Sequence, residues 1–140
     1  MKVIITESKV SNSIYNYIDE TFDPNNMDWI YGIDEDEDGY PDIDRENENF
    51  LMFYKGEYEG YEDSDFVFHY FDVDFYDKND PSHKPFRDEA PILDVLGENG
   101  RHLDSMFGTH WKEPMKKWFK DNFKLPVKTV STYYNYEINN

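Results

Sequence analysis

The chain contains no cysteine, and it sets only 14 lysine and arginine residues against 31 aspartates and glutamates. No apolar run in it approaches the ~18 residues of a membrane span. The missing cysteine excludes a disulfide scaffold, a thiolate zinc site, an iron–sulfur cluster and a cysteine nucleophile, and it agrees with a reducing compartment. The shortage of basic side chains leaves a formal charge of −17, a field that opposes direct contact with a phosphate backbone. The opening MKVIITESKV lacks a small-residue cleavage site and a myristoylation glycine, and the terminal Ile-Asn-Asn lacks a prenylation cysteine. A soluble protein of the cytoplasm, with no membrane partner, is the expectation. Repeats of fixed period are absent, which argues against solenoids and propellers. No Pro, Gly or Ser linker interrupts the chain, so residues 1–140 read as a single domain.

What the chain does have is aromatic area. Its 11 Phe, 12 Tyr and 3 Trp supply the apolar surface that acidic disordered chains lack, and 140 residues suffice to bury a core. The charge is also local. Residues 1–100 hold 27 acidic and 7 basic side chains, a net of −20, whereas residues 101–140 hold 7 basic and 4 acidic, a net of +3.

Val3-Ile4-Ile5 reads as a short buried strand. Val10, Ile14, Tyr17, Ile18 and Phe22 then share one helical face behind a Thr6 or Ser8 cap, and the helix should stop at Asp23-Pro24. Met27–Tyr31 reads as a strand, and Asp34–Glu48, acidic and without apolar period, as a loop. Phe50–Tyr54 suits a third strand. The longest strand expected is Asp65–Asp77, with Val67, His69, Phe71, Val73 and Phe75 on one face and Phe66, Phe68 and Tyr70 on the other. Lys78–Phe86 reads as a loop, and Pro91–Leu96 as helical turns ended by Gly97. A short helix follows over Leu103–Phe107. Met115, Trp118, Phe119 and Phe123 line one face of a stronger helix, with Lys116, Lys117, Lys120 and Lys124 largely away from it. Val127–Glu137 alternates as a last strand. Strands in series followed by grouped helices imply an α+β fold, a largely antiparallel sheet of about five strands with helices packed on one face.

The most specific local pattern is Asp34-Glu35-Asp36-Glu37-Asp38-Gly39-Tyr40-Pro41-Asp42. Carboxylates at alternate positions of a curled loop can converge on a hard cation, and glycine permits the sharp turn. The stretch resembles the calcium loops of EF-hands, dockerins and thrombospondin type 3 repeats. That resemblance implies Asp34, Asp36, Asp38, the Tyr40 carbonyl and Asp42 as calcium ligands. It departs from the pattern at position twelve, which is Arg45, with Asp44 and Glu46 on either side. The alternative is a solvated acidic turn.

Interleaved acids and aromatics recur at Tyr58–Asp63 and Asp72–Asp77. Carboxylates spaced along an exposed surface can imitate phosphates and occupy a nucleic-acid-binding groove, whereas the bland account is that acidity keeps an aromatic-rich domain soluble. Catalysis has less behind it: His69, His83, His102 and His110 are scattered, and no phosphate-binding loop, dinucleotide fingerprint, nucleophile elbow or zinc-protease motif occurs. The opening Met1–Lys9 is similar to the start of many short acidic proteins of tailed phages, which implies a phage or viral setting and no particular activity. The leading expectation is a non-enzymatic binding module engaging a basic protein surface, as a DNA mimic that inhibits a host nucleic-acid-binding protein, through Asp34, Asp36, Asp38, Asp42, Asp44, Asp72 and Asp74. A calcium-stabilised structural or assembly protein is the alternative. A hydrolase with dispersed carboxylates would require a deep pocket holding carboxylates of perturbed pKa.

Overall fold

A computed structural model describes residues 7–57 and 66–132. The Val3–Ile5 strand, the Tyr58–Asp63 acidic segment and the end of the last strand lie outside the described residues.

Two helices follow their apolar spacing. Helix α1 (Glu7–Phe22) buries Ile14, Ile18 and Phe22, spaced four apart on one stripe, while Val10 stays exposed. Helix α4 (Lys112–Phe123) buries Met115, Trp118 and Phe119 with Pro114 in its first turn, where a missing N–H costs nothing. The two are tied side by side. Trp118 Nε1 donates to Asp19 Oδ1 at 2.9 Å and the Tyr15 hydroxyl donates to Asp121 at 2.8 Å. The α4 lysines are engaged locally: Lys116 pairs with Glu113, and Lys117 with Asp121 and the face of the Tyr15 ring.

The sheet has five strands in the order β1-β2-β3-β4-β5. β1 (Met27–Glu35), β2 (Pro41–Lys55), β3 (Phe66–Phe71) and β4 (Ile92–Val95) pair antiparallel in sequence. β5 (Thr129–Thr132) then joins β4 in parallel, after a crossover through α3 (Gly97–Phe107) and α4. The fold is therefore α+β, with an open, mostly antiparallel sheet. α1, α3 and α4 pack on one face, where Leu51, Phe53, Phe68, Tyr70, Leu93, Val95 and Val130 meet Leu103 and the α1 and α4 stripes.

Several local expectations change. The acidic segment is not a loop: β1 continues to Glu35 and β2 starts at Pro41, so only residues 36–40 turn the chain. Backbone pairing with β1 supplies what side-chain periodicity could not show. β3 ends at Phe71 rather than Asp77, because Asp72 Oδ1 accepts from the Val73 N–H and caps a 3₁₀ turn over Val73–Phe75. A register shift opposite Phe53 and Tyr54 also breaks the expected alternation in β3. Val67 joins Phe68 and Tyr70 in the core, while Phe66 lies with His69, at 6.4 Å between rings, on the other face. Pro91–Leu96 is strand β4 rather than helix; all four residues of Ile-Leu-Asp-Val are buried between β3 and β5. Lys78–Phe86 contains a 3₁₀ turn (Pro81–His83), capped by Asp80, and the start of a short helix α2 (Lys84–Glu89).

Candidate functional site

The acidic residues form a ribbon. β3 pairs with β2 only over Phe50–Tyr54, so residues 41–47 of β2 have β1 as their one sheet neighbour and run past the paired part of β3 as a two-stranded hairpin. Glu35, Asp36, Glu37, Asp38, Asp44, Glu46 and Glu48 are exposed along it. Glu46 pairs with Ile33, while Asp44 and Glu48 lie in the two stretches where β2 carries extra residues against β1, between Pro41 and Glu46 and between Asn47 and Leu51. Asp42 is half-buried, accepts from the Asp44 N–H at 3.2 Å and meets Arg45 at 3.7 Å. At the base, the Asp72 N–H donates to the Asn49 carbonyl at 2.9 Å, and Asn49 Nδ2 reaches the Asp74 carbonyl at 3.4 Å. Asp72 and Asp74 therefore stand beside the root of the ribbon, and Asp72 shares a shallow groove with Glu48.

The D-x-D-G spacing has a backbone explanation. The Asp36 carbonyl accepts from the Gly39 N–H at 3.0 Å, Asp36 Oδ1 accepts from both the Asp38 and Tyr40 N–H groups at 2.9 Å, and Gly39 sits at φ +84°. That is a hairpin turn completed by a left-handed glycine, with an Asx cap. The Tyr40 carbonyl accepts from the Asp36 N–H at 2.7 Å. Asp34 faces away from the turn and accepts from Asn47 Nδ2 at 3.0 Å. Among the described residues, no three His, Asp or Glu side chains gather to hold a metal ion. Because Asp34 is turned to Asn47 and no three ligating side chains gather among the described residues, calcium at about 1 mM is expected to move the melting midpoint no more than magnesium does. A calcium-specific rise, reversed by chelator, would favour the calcium loop instead.

A second feature lies on the opposite face of the sheet from the long helices. A cavity of about 710 Å³ is enclosed by Phe71, the 3₁₀ residue Phe75, Tyr76, and Phe86 of α2. Tyr76 and Phe86 stack at 5.7 Å and 14°, and Phe71 and Phe75 meet at 4.9 Å. Its polar groups include Asp34 and Asn47 from the hairpin base, His83 and Glu89 from the α2 segment, and Asp94, Ser131 and the β5 threonines from the sheet floor.

Asp94 is the unusual member: only 9% exposed, it is the one buried charged residue among the described core positions. Ser131, its register partner on β5, donates its hydroxyl to Asp94 Oδ1. Burial raises the Asp94 carboxyl pKa above the ordinary value of 3.8, and the Ser131 hydrogen bond offsets part of that. Burial, then the charges of Asp94 and Glu89, push the Tyr76 hydroxyl up to about 12. For Asp94, the folded state holds its proton more tightly than the unfolded chain, so stability falls as pH rises from 3.8 through the folded value. Asp94→Asn, which keeps an acceptor for Ser131, is therefore expected to raise the melting midpoint at neutral pH by a few degrees. The gain should vanish below the unfolded carboxylate pKa; a loss of stability at neutral pH would contradict the assignment.

His69, Asp94 and Ser131 are consecutive register partners across β3, β4 and β5. A nucleophile relay needs the imidazole between the hydroxyl and the carboxylate. Here the carboxylate stands in the middle and takes the serine proton donor itself, while the His69 ring lies among Phe50, Phe66 and Phe71. The other histidines remain dispersed. His83 Nδ1 accepts from the Asp77 N–H, and His102 sits 3.7 Å from Glu98 on α3.

The cavity was invisible along the chain, since its floor joins residues 37 apart through sheet register. Its one sequence signal is an aspartate inside the otherwise apolar Ile92-Leu93-Asp94-Val95. No protein-family model matches the chain, and no curated protein and no solved structure matches it. Among the described residues, no helix is long and apolar enough to cross a membrane.

Proposed function

We propose that the chain is a non-enzymatic binding protein whose acidic ribbon docks on a basic surface of another protein, as a DNA mimic that occupies the site of a nucleic-acid-binding partner. The observation that carries this reading is the projecting hairpin. Residues 34–48 hold nine acidic side chains and one basic on a ribbon roughly 25 Å long. One net negative charge per ~3 Å is close to the ~3.4 Å per charge of a single DNA strand, and about half the linear density of a duplex. Asp72 and Asp74 extend the same field at its root. A surface of this kind gains affinity mainly through steering and released counterions, both of which salt suppresses. The N-terminal similarity to short tailed-phage proteins gives such an inhibitor a setting in a host cell.

The test is displacement of labelled duplex DNA from a panel of basic nucleic-acid-binding proteins, nucleases included. Displacement from at least one member is expected at about 50 mM salt, weakening at least tenfold by about 300 mM. Failure to displace DNA from any of them, or displacement indifferent to salt, overturns the reading.

A further inference from the structure

The cavity on the free face of the sheet is separate from the ribbon's exposed acids and has a chemistry of its own. We propose that it is a binding site for a small organic ammonium ion with an aromatic or apolar body, its charged head on Asp94 and its body between Phe75 and the Tyr76–Phe86 stack.

Three observations point to this class of ligand. The volume, about 710 Å³, lies in the range of small-molecule sites and not of extended macromolecular grooves. The described lining includes the carboxylates of Asp34, Glu89 and Asp94 and no lysine or arginine, so an anion would meet three carboxylates with His83 alone to set against them. The third observation is Asp94 itself. Asp94 is only 9% exposed and lines the cavity, with Oδ1 accepting from Ser131. A carboxylate so largely removed from water is costly, and an ammonium N–H is the group that hydrogen-bonds to it while offsetting its charge. The aromatic rings in the lining add attraction for a cation that a neutral ligand would not feel. A neutral aromatic would fill the walls but leave the carboxylate charge without a counterion.

A matched set of probes separates these cases. Aryl-alkylammonium ions of increasing chain length, beginning with phenethylammonium, are compared with 2-phenylethanol and phenylacetate by calorimetry and by amide chemical shifts in β4 and β5. Saturable one-to-one binding of at least one ammonium ion is expected, at least tenfold tighter than either the alcohol or the carboxylate. Shifts should centre on Asp94 and Ser131. Asp94→Asn should weaken the ammonium ion tenfold or more while leaving the alcohol unchanged. Should that variant not fold, Phe75→Ala serves in its place and should weaken all three probes that bind. The proposal is overturned if no ammonium ion in the series saturates, if the alcohol or phenylacetate binds as well, or if Asp94→Asn binds the ammonium ion as tightly as the original chain. Glu20→Gln, on the distant α1 surface, should leave binding unchanged; weakening there would mean that net charge alone is being measured, and would also overturn the site.

Discussion

Trp118→Ala is expected to cost about 3–5 kcal/mol of folding free energy and to lower the melting midpoint by about 10–20 °C. The side chain is fully buried at the centre of the helix–sheet layer. Its ring centroid lies 5.8 Å from Phe22, 6.0 Å from Phe68 and 5.7 Å from Phe123, so it links α1, β3 and the end of α4. Truncation would leave a void bordered by three aromatic rings that cannot close it without leaving their own partners. The Asp19 carboxylate would also lose its indole donor, but Asp19 is exposed and water replaces that bond cheaply. Against a typical total of about 5–15 kcal/mol, the loss takes a large share of the stability. Trp29→Ala is the comparison: Trp29 is 39% exposed on the edge strand β1, and its loss should stay within about 1 kcal/mol. Urea denaturation of both variants checks the pair. A cost below about 1 kcal/mol for Trp118→Ala would mean that the helix layer does not pack as described.

The elements legible in the sequence are those whose side chains face the core over several turns. Ile14, Ile18 and Phe22, and Met115, Trp118 and Phe119, repeat at helical spacing because one stripe of each helix is dry, and the structure buries all six. Ile-Leu-Asp-Val is too short for any period to show. It becomes a strand because β3 and β5 flank it, which is a tertiary fact. The acidic hairpin was illegible for the opposite reason: neither face of its tip meets a core, so nothing in its side chains records the pairing. There the informative residues were Asp36 and Gly39. Their spacing is shared by a calcium loop and by a capped hairpin turn, and the backbone hydrogen bonds form the capped turn. The altered faces of β3 trace to a single register shift beside Val67, which no alternation rule foresees. Of the expected partner-binding residues, Asp44 and Asp38 stand exposed on the ribbon and Asp72 and Asp74 at its root. Asp34 is turned instead toward Asn47 and the cavity. Glu46 and Glu48 stand exposed with Asp44 because β2 runs the length of the ribbon, a pairing that no side-chain pattern records.

The second large effect concerns those three residues. Asp44→Asn, Glu46→Gln and Glu48→Gln together remove three carboxylates without changing shape. At about 0.7 kcal/mol each, within the range of exposed charge contacts, they should weaken docking on a basic partner roughly 30-fold. A rival account gives the same residues a different task. Charge on a hairpin whose outer strand is a sheet edge discourages pairing with another chain, and removing it would then produce self-association and nothing else. Net charge is a further confounder, since any acidic protein is attracted to any basic one. A second triple variant, Glu20→Gln, Asp23→Asn and Glu113→Gln, makes the same change in charge at exposed positions of α1, the turn after it and α4.

The decisive measurement is the DNA-displacement affinity of these two triple variants beside the original chain, at one low salt concentration and with all three proteins monomeric. Loss of roughly 30-fold in the ribbon variant, with less than about threefold in the control, is the result expected if the ribbon is the docking surface. Equal losses in the two variants, or a ribbon variant that self-associates yet displaces DNA as well as the original chain, would contradict it.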